Sequence, residues 1–227
     1  MNISIIIFSY NERESIENVI LSVKCVLDKI AETYEVIVVD DGSTDGTIDI
    51  VKKYDWVKTI VHSTNKGIGQ ALRSGYDASS KEFVCAVPGD CQFDVRELLN
   101  VEPFPMQTFY SFYRLMTNYS IYRSLLNLSN RIFNRWLLGI SLNDVNWIKV
   151  YKKDQLDFVE VELKSSIVES EICAKLMKAG IKPVEVASIY HDRKSGKSKG
   201  GNWNTLRLAI SEMVSLFIVV RRFKKKL

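Results

Sequence analysis

A chain of 227 residues, 46% apolar and 26% charged, can bury one substantial core and has the composition of a globular protein, which excludes a disordered or fibrous chain. Its cysteines, Cys25, Cys85, Cys91 and Cys173, form no Cys-x-x-Cys pair, which argues against a zinc site or disulfide scaffold and for reduced, mostly buried thiols. The net charge of +4 is local, because five cations lie between Arg221 and Lys226 and the body is close to neutral; no recognition motif accompanies them, so nucleic acid is not an expected partner.

Ile3 to Phe8 is an apolar run that predicts a strand, closed by polar Ser9-Tyr10-Asn11-Glu12. An amphipathic helix is predicted from Ile16 to Ile30. Glu35 to Val39 predicts a second strand, and Asp40-Asp41-Gly42-Ser43-Thr44-Asp45-Gly46 follows it directly. Adjacent carboxylates at a strand exit can accept hydrogen bonds from a nucleotide's ribose hydroxyls or base N–H; as a plain turn they would cap the next helix. Val57 to His62 predicts a third strand. Asn65-Lys66-Gly67-Ile68-Gly69-Gln70 opens a helix from Gly69 to Ala78, and a fourth strand, Phe83 to Val87, runs into Pro88-Gly89-Asp90-Cys91-Gln92-Phe93-Asp94. Strands alternating with helices predict an α/β, mostly parallel, doubly wound sheet with helices on both faces. Polar clusters after strands one, two and four would gather on one of its edges.

Phe109 to Arg114 continues with strand character. Tyr119 to Leu138 carries Arg123, Arg131 and Arg135 beside an apolar face, which suits a helix packed on the domain or one at a membrane interface. Asp144, in Asn143-Asp144-Val145-Asn146-Trp147, precedes a predicted strand from Val145 to Val150. Glu169-Ser170-Glu171 opens a helix to Ala179-Gly180, Pro183 to Val186 predicts a strand, and Arg193 to Gly201 forms a basic, glycine-rich loop. His62 and His191 stand in no obvious metal or triad arrangement; His191, beside Asp192 and Arg193, is a candidate for a place near an acceptor. Leu206 to Val220 is apolar but interrupted by Arg207 and Glu212, too short for a bilayer span of roughly 20 residues. Followed by the basic end, it fits an amphipathic helix docked on an anionic membrane surface or packed on the domain. The expected organisation is one domain over residues 1–203 and an apolar helix with a polybasic tail over 204–227.

Ser9-Tyr10-Asn11-Glu12, Val38 to Thr47, Asn65 to Gly69 and Gly89 to Asp94, in this order and spacing, resemble the inverting nucleotide-sugar glycosyltransferases of the GT-A fold, family two. Glu169-Ser170-Glu171 and Arg193-Lys194-Ser195-Gly196-Lys197-Ser198-Lys199-Gly200-Gly201 resemble the subgroup typified by dolichyl-phosphate mannose synthase. The resemblance implies a Rossmann-like sheet, a UDP- or GDP-linked sugar donor, a polyprenyl-phosphate or related lipid acceptor, and a divalent cation, Mg2+ or Mn2+. It places Tyr10, Asn11, Glu12, Asp40, Asp41, Asn65 and Asp90 at the nucleotide-sugar. Arg114, Asp144, Arg193, Lys197 and Ser198 go to the acceptor, and Asp90, Arg193 and Glu171 to catalysis. A hard cation suits oxygen ligands from Asp90 and Gln92, with diphosphate and water completing its shell.

The family commonly carries an acid two residues before Asp90, where this chain has Pro88. Asp94 or Asp41 would then contribute a ligand, or the chain would bind a nucleotide-sugar without turning it over. A lipid phosphate is already ionised and needs cations rather than a strong base. A sugar hydroxyl on a growing glycan needs a base, for which Glu169, Glu171 and Asp144 are the candidates, Glu171 reading better as a site organiser. With no secretory signal visible, the expected location is the cytoplasm, at the inner face of the membrane, with oligomerisation left open.

Overall fold

A computed structural model describes residues 1–101, 105–115, 134–136, 138–165, 167–191 and 203–224, with side chains from 212 onward in the last segment. In chain order these form β1 (Asn2–Ser9), α1 (Ile16–Ile30), β2 (Thr33–Asp40), α2 (Thr47–Val51), β3 (Val57–Val61), α3 (Ile68–Ala78) and β4 (Phe83–Pro88). A 3-10 turn (Val95–Asn100), β5 (Thr108–Leu115), β6 (Lys149–Lys152), α4 (Lys153–Val159), α5 (Val168–Lys178), β7 (Lys182–Ile189) and α6 (Trp203–Arg222) complete them. The segment predicted as a helix from Tyr119 to Leu138 lies almost wholly outside the described residues.

One seven-stranded sheet has the order β3-β2-β1-β4-β6-β5-β7. β6 pairs antiparallel to both β4 and β5, and every other neighbouring pair is parallel. β1, β2 and β4 are apolar without alternation because both of their faces are covered. Ile3, Ile5, Ile7, Val36, Val38, Cys85 and Val87 face one core, which α1 completes with Ile16, Val19, Ile20, Val23, Val26 and Leu27 at helical spacing. Ile6, Ile37, Val39, Val84 and Ala86 face the other, against Ala71, Leu72 and Tyr76 of α3 and the buried faces of α4, α5 and α6.

The close approach that sets the second layer is at Gly69, in the first turn of α3. A Cβ there would stand 1.8 Å from the Ser165 carbonyl oxygen and 2.6 Å from that of Lys164. Both are backbone atoms, so the segment before α5 must move as a unit. Gly69→Ala is expected to destabilise the protein by about 2–3 kcal/mol through overpacking, read as a lower urea midpoint at unchanged m-value. An unshifted midpoint would show that this segment is not packed on α3.

Four elements depart from the sequence reading. Val145, Trp147 and Ile148 are buried, yet they belong to a loop that enters the core ahead of the short β6, so their apolar pattern imitates a strand. α2 and α4, with 5 and 7 residues, are too short to show periodicity. α6 begins at Trp203 and packs on the domain through Leu216 and Val220, with Phe223 edge-on to Phe158 at 5.6 Å. Lys178 Nζ donates to the Val220 and Arg221 carbonyls at 2.9 and 3.1 Å, satisfying the helix C-terminus. Val214 and Ile218 stay exposed, and no helix among the described residues is long and apolar enough to cross a membrane.

Candidate active site

β1 lies where the sheet's connections diverge, with β2 on one side and β4 on the other, and the crevice beyond such a switch point is where open α/β sheets bind ligands. The loops there are stitched to one another. Asn11, in the left-handed region that asparagine tolerates (φ 56), accepts from the Thr44 amide at 2.9 Å, and its own amide donates to Ser43 Oγ at 2.8 Å. The Glu12 amide donates to Thr47 Oγ1 at 3.0 Å and that of Arg13 to Asp45 Oδ2 at 3.1 Å. Burial opposes ionisation of Asp45, but hydrogen bonds from Thr47 and Arg13 outweigh it and hold the carboxyl below its ordinary range. Ser15 Oγ donates to the Gly89 carbonyl at 2.7 Å, which joins the loop after β4 to the same assembly.

The two adjacent acids have different surroundings. Asp40 is buried; its Oδ2 accepts from the Ser43 amide at 2.9 Å, while Oδ1 has no partner among the described residues. Ser9, its register partner on β1, holds an Oγ in the same condition. Asp41 is committed to its own chain. Oδ1 meets His62 Nδ1 at 2.6 Å and the Lys66 amide at 2.9 Å, and Oδ2 accepts from the Gly67 amide at 2.8 Å. Three of roughly four acceptor directions are thus occupied, and the expected stand-in metal ligation by Asp41 gives way to a structural role. Asn65 lies in the loop so held, pressed on Gly42 (φ +76), where a Cβ would sit 2.7 Å from the Thr64 carbonyl carbon.

At the other end of the crevice the Gln92 amide donates to Asp90 Oδ1 at 3.1 Å, curling the loop so that both buried side chains belong to one turn. Gln92 Nε2 donates to the Tyr190 hydroxyl, Phe93 bridges to Tyr190, and the His191 amide donates to the Gln92 carbonyl at 3.1 Å. The end of β7 is therefore fastened to the loop after β4. Tyr190 packs on Trp147 with centroids 5.6 Å apart, and the Arg114 guanidinium lies over both rings, at 5.0 Å from Trp147 and 5.7 Å from Tyr190. Arg114 also makes a bidentate pair with Asp144, Nε to Oδ2 at 2.6 Å and Nη2 to Oδ1 at 3.1 Å. Two residues expected separately at the acceptor thus form one unit, a single aromatic ring away from Gln92. Tyr190 and Trp147 had not been expected here; the sole hint was that Trp147 follows Asp144 by three residues.

Other expectations change place. Asp94 caps the 3-10 turn, accepting from the Arg96 amide at 3.0 Å, and the Arg96 guanidinium pulls its carboxyl below the usual range. It serves that turn rather than a cation. Glu169 is enclosed, accepting from the Tyr76 hydroxyl at 2.5 Å and the Tyr151 hydroxyl at 2.6 Å; burial pushes its pKa up from 4.5. Because the folded protein holds that proton more tightly than the unfolded chain, Glu169 stabilises the fold fully below about pH 4.5 and loses that contribution as pH rises through the folded pKa. The stability of the wild type relative to Glu169→Gln is expected to fall across that interval in urea titrations at stepped pH. A pH-independent difference would contradict the shift.

Glu171, expected in catalysis, is 0% exposed and accepts from the Glu162 amide at 2.9 Å, the Leu163 amide at 2.8 Å and Lys175 Nζ at 2.7 Å. A carboxylate so enclosed cannot touch substrate. It organises instead, fixing the segment that abuts Gly69. Arg193, Lys197 and Ser198 lie outside the described residues.

The sheet order, its single reversed strand and the acidic turns at the exits of β2 and β4 are those of the GT-A fold. Residues 4–101 match the family described as Glycosyl transferase family 2. The chain is 22% identical over 241 residues to a dodecaprenyl-phosphate galacturonate synthase of Rhizobium johnstonii, a match covering 100% of the chain and 69% of that protein. It is 28% identical over 110 residues to an undecaprenyl-phosphate 4-deoxy-4-formamido-L-arabinose transferase of Aeromonas hydrophila, there covering 46% of the chain and only 34% of the relative. Among solved structures, glucosyl-3-phosphoglycerate synthase from Mycobacterium tuberculosis, in complex with Mn2+, UDP-glucose and phosphoglyceric acid, superposes with a TM-score of 0.68 at 19% identity, over 95% of this chain and 79% of that one. That likeness is one of fold.

Proposed function

We propose that the chain transfers a sugar from a nucleotide-sugar to a polyprenyl phosphate or a related membrane-lipid phosphate. The observation that carries this reading is the condition of the three candidate bases: Glu169 is bonded to two tyrosines, Glu171 to two amides and Lys175, and Asp144 to Arg114. An acceptor that is already an anion needs none of them. Polyprenyl-linked sugars in the names of both curated relatives support the same choice.

In this reading the nucleotide lies over the exits of β1 and β2, bordered by Tyr10, Asn11, Glu12, Asp40, Asp41 and Asn65. The unpartnered Asp40 Oδ1 is an acceptor suited to a ribose or base donor. Asp90 and Gln92 supply one carboxylate and one amide oxygen, a donor set that fits a hard cation whose remaining ligands are diphosphate and water. Among the described residues no cluster of three His, Cys, Asp or Glu side chains offers a fuller cage. A cation there would stabilise, as a Lewis acid, the charge growing on the departing diphosphate. Tyr190 orients the Gln92 amide, and Arg114, braced by Asp144, Trp147 and Tyr190, puts a fixed positive charge at the acceptor end. Arg193, Lys197 and Ser198 are proposed to hold the acceptor phosphate. Its oxygen forms the new bond to the anomeric carbon as the bond to the diphosphate breaks, the electron pair leaving with the diphosphate, so the centre inverts.

The exposed Val214 and Ile218 beside exposed Arg221 and Arg222 suit contact with an anionic leaflet, at the inner face of the membrane. A second reading, a nucleotide-sugar-binding protein without turnover, is favoured by Pro88, which pairs with Phe8 where the family's acid would stand.

The test is transfer from a panel of radiolabelled UDP- and GDP-sugars to polyprenyl phosphate in detergent with Mn2+ or Mg2+, scoring label that extracts into organic solvent. Cation-dependent lipid label is expected and would name the donor. Donor binding with no lipid label from any sugar would sink the lipid-phosphate reading.

A further inference from the structure

α3 is fastened to the exits of β2 and β3 at two points. At its start the amides of Lys66 and Gly67 are held by Asp41, and in its second turn Ser74 Oγ lies 2.9 Å from His62 Nε2, whose other nitrogen, Nδ1, lies 2.6 Å from Asp41 Oδ1. His62 is buried, and its own amide donates to the Asp40 carbonyl at 2.9 Å, so the ring is fixed from the backbone outward. A carboxylate only accepts, so the proton between His62 and Asp41 sits on Nδ1, and the Ser74 hydroxyl completes the line at Nε2.

Asp, His and Ser in this order are the parts of a hydrolytic triad, but Ser74 stands in the middle of α3, where neighbouring amides close the helix ladder. The backbone amides beside it are committed to that ladder and are not available as an oxyanion hole. The line has a different consequence. The Asp41 carboxylate faces the crevice loops and holds two consecutive amides with two different oxygens, an arrangement that survives only if the carboxylate keeps one rotamer. His62, anchored by Ser74, is what holds that rotamer.

We infer that His62 and Ser74 are positioning residues for the nucleotide pocket, acting through Asp41 to fix the loop that carries Asn65 and opens α3. The inference rests on the nucleotide reading above for its consequence, though not for its geometry. The residues are also far apart in sequence, Asp41, His62 and Ser74 lying on β2's exit, β3's exit and α3, so the line couples three elements at the crevice.

The experiment uses the full chain and His62→Leu, His62→Gln, His62→Asn and Ser74→Ala, with two readouts: amide exchange at Lys66 and Gly67 followed by NMR, and calorimetric affinity for UDP and GDP. His62→Leu and His62→Gln, which lose the donor to Asp41, are expected to speed exchange at both amides and weaken nucleotide binding about tenfold, with the donor KM rising more than kcat falls. His62→Asn, whose amide nitrogen falls near the Nδ1 position, is expected to restore both readouts to within about threefold, and Ser74→Ala to move them in the same direction as His62→Leu by about threefold. A folded His62→Leu with unchanged exchange overturns the inference, as does faster exchange with unchanged nucleotide affinity. If His62→Leu does not fold, His62→Asn and Ser74→Ala decide it, and unchanged values in Ser74→Ala overturn it. Failure of the wild type to bind either nucleotide would refute the nucleotide reading itself, and exchange alone would then decide whether His62 holds the loop.

Discussion

Asp90→Ala is expected to reduce sugar transfer by about a thousandfold or more, the rate equivalent of the several kcal/mol that a correctly held cation contributes to stabilising a departing diphosphate. Asp90 shares the turn after β4 with Asp94, and Asp94 is engaged with the amide and guanidinium of Arg96. Asp94→Ala therefore provides the contrast: it removes a cap and should cost about 1 kcal/mol of stability while leaving transfer within a small factor. Both variants are to be assayed over a Mn2+ titration, since a weakened site reads as a higher cation requirement before it reads as lost turnover. Retention of more than about a tenth of wild-type transfer in Asp90→Ala at saturating cation would remove Asp90 from the diphosphate, because the loss would then be under about 1.4 kcal/mol.

Glu171→Ala carries the largest expected effect on stability, a loss of about 3–5 kcal/mol, because removal of one partner leaves the buried Lys175 ammonium with only the exposed Glu162 as counter-charge. Lys175 would keep Glu162 Oε1 at 3.0 Å and two carbonyls, but that glutamate is 60% exposed and the amides of Glu162 and Leu163 would lose their acceptors. Urea unfolding reads the effect directly. The double variant Glu171→Ala with Lys175→Met should recover part of it, since the buried, poorly compensated ammonium is then gone. This measurement also separates the two acceptor readings. A general base at Glu171 would lose kcat with the fold intact, whereas an organiser loses stability first, and with it the placement of the segment against Gly69.

β1, α1, β2, β3, α3 and β4 were legible almost to the residue, because unbroken apolar runs and a 3.6-residue period are local signals of burial on two faces or on one. The acidic turns at Asp40-Asp41 and at Asp90 were legible for the same reason, each lying directly after such a run. Lys149 shows where this fails: it is buried, its Nζ satisfied by the Asp144 and Trp147 carbonyls at 3.0 and 3.1 Å, so a polar residue opens β6 and the apolar residues before it are loop.

By itself the sequence determined an α/β chain with its polar turns on one sheet edge, and it nominated a set of acids and cations for the crevice there. Only the tertiary structure decided what each nominated group does. Among the described residues Asp40 keeps an unpartnered buried oxygen while its neighbour Asp41 is tied to His62, Lys66 and Gly67; Arg114 and Asp144, 30 residues apart, become one pair; Glu169 and Glu171 turn inward. The physical reason is that a carboxylate's chemistry is set by the donors around it and by its distance from water, and folding brings those donors from strands and helices that are remote in the chain.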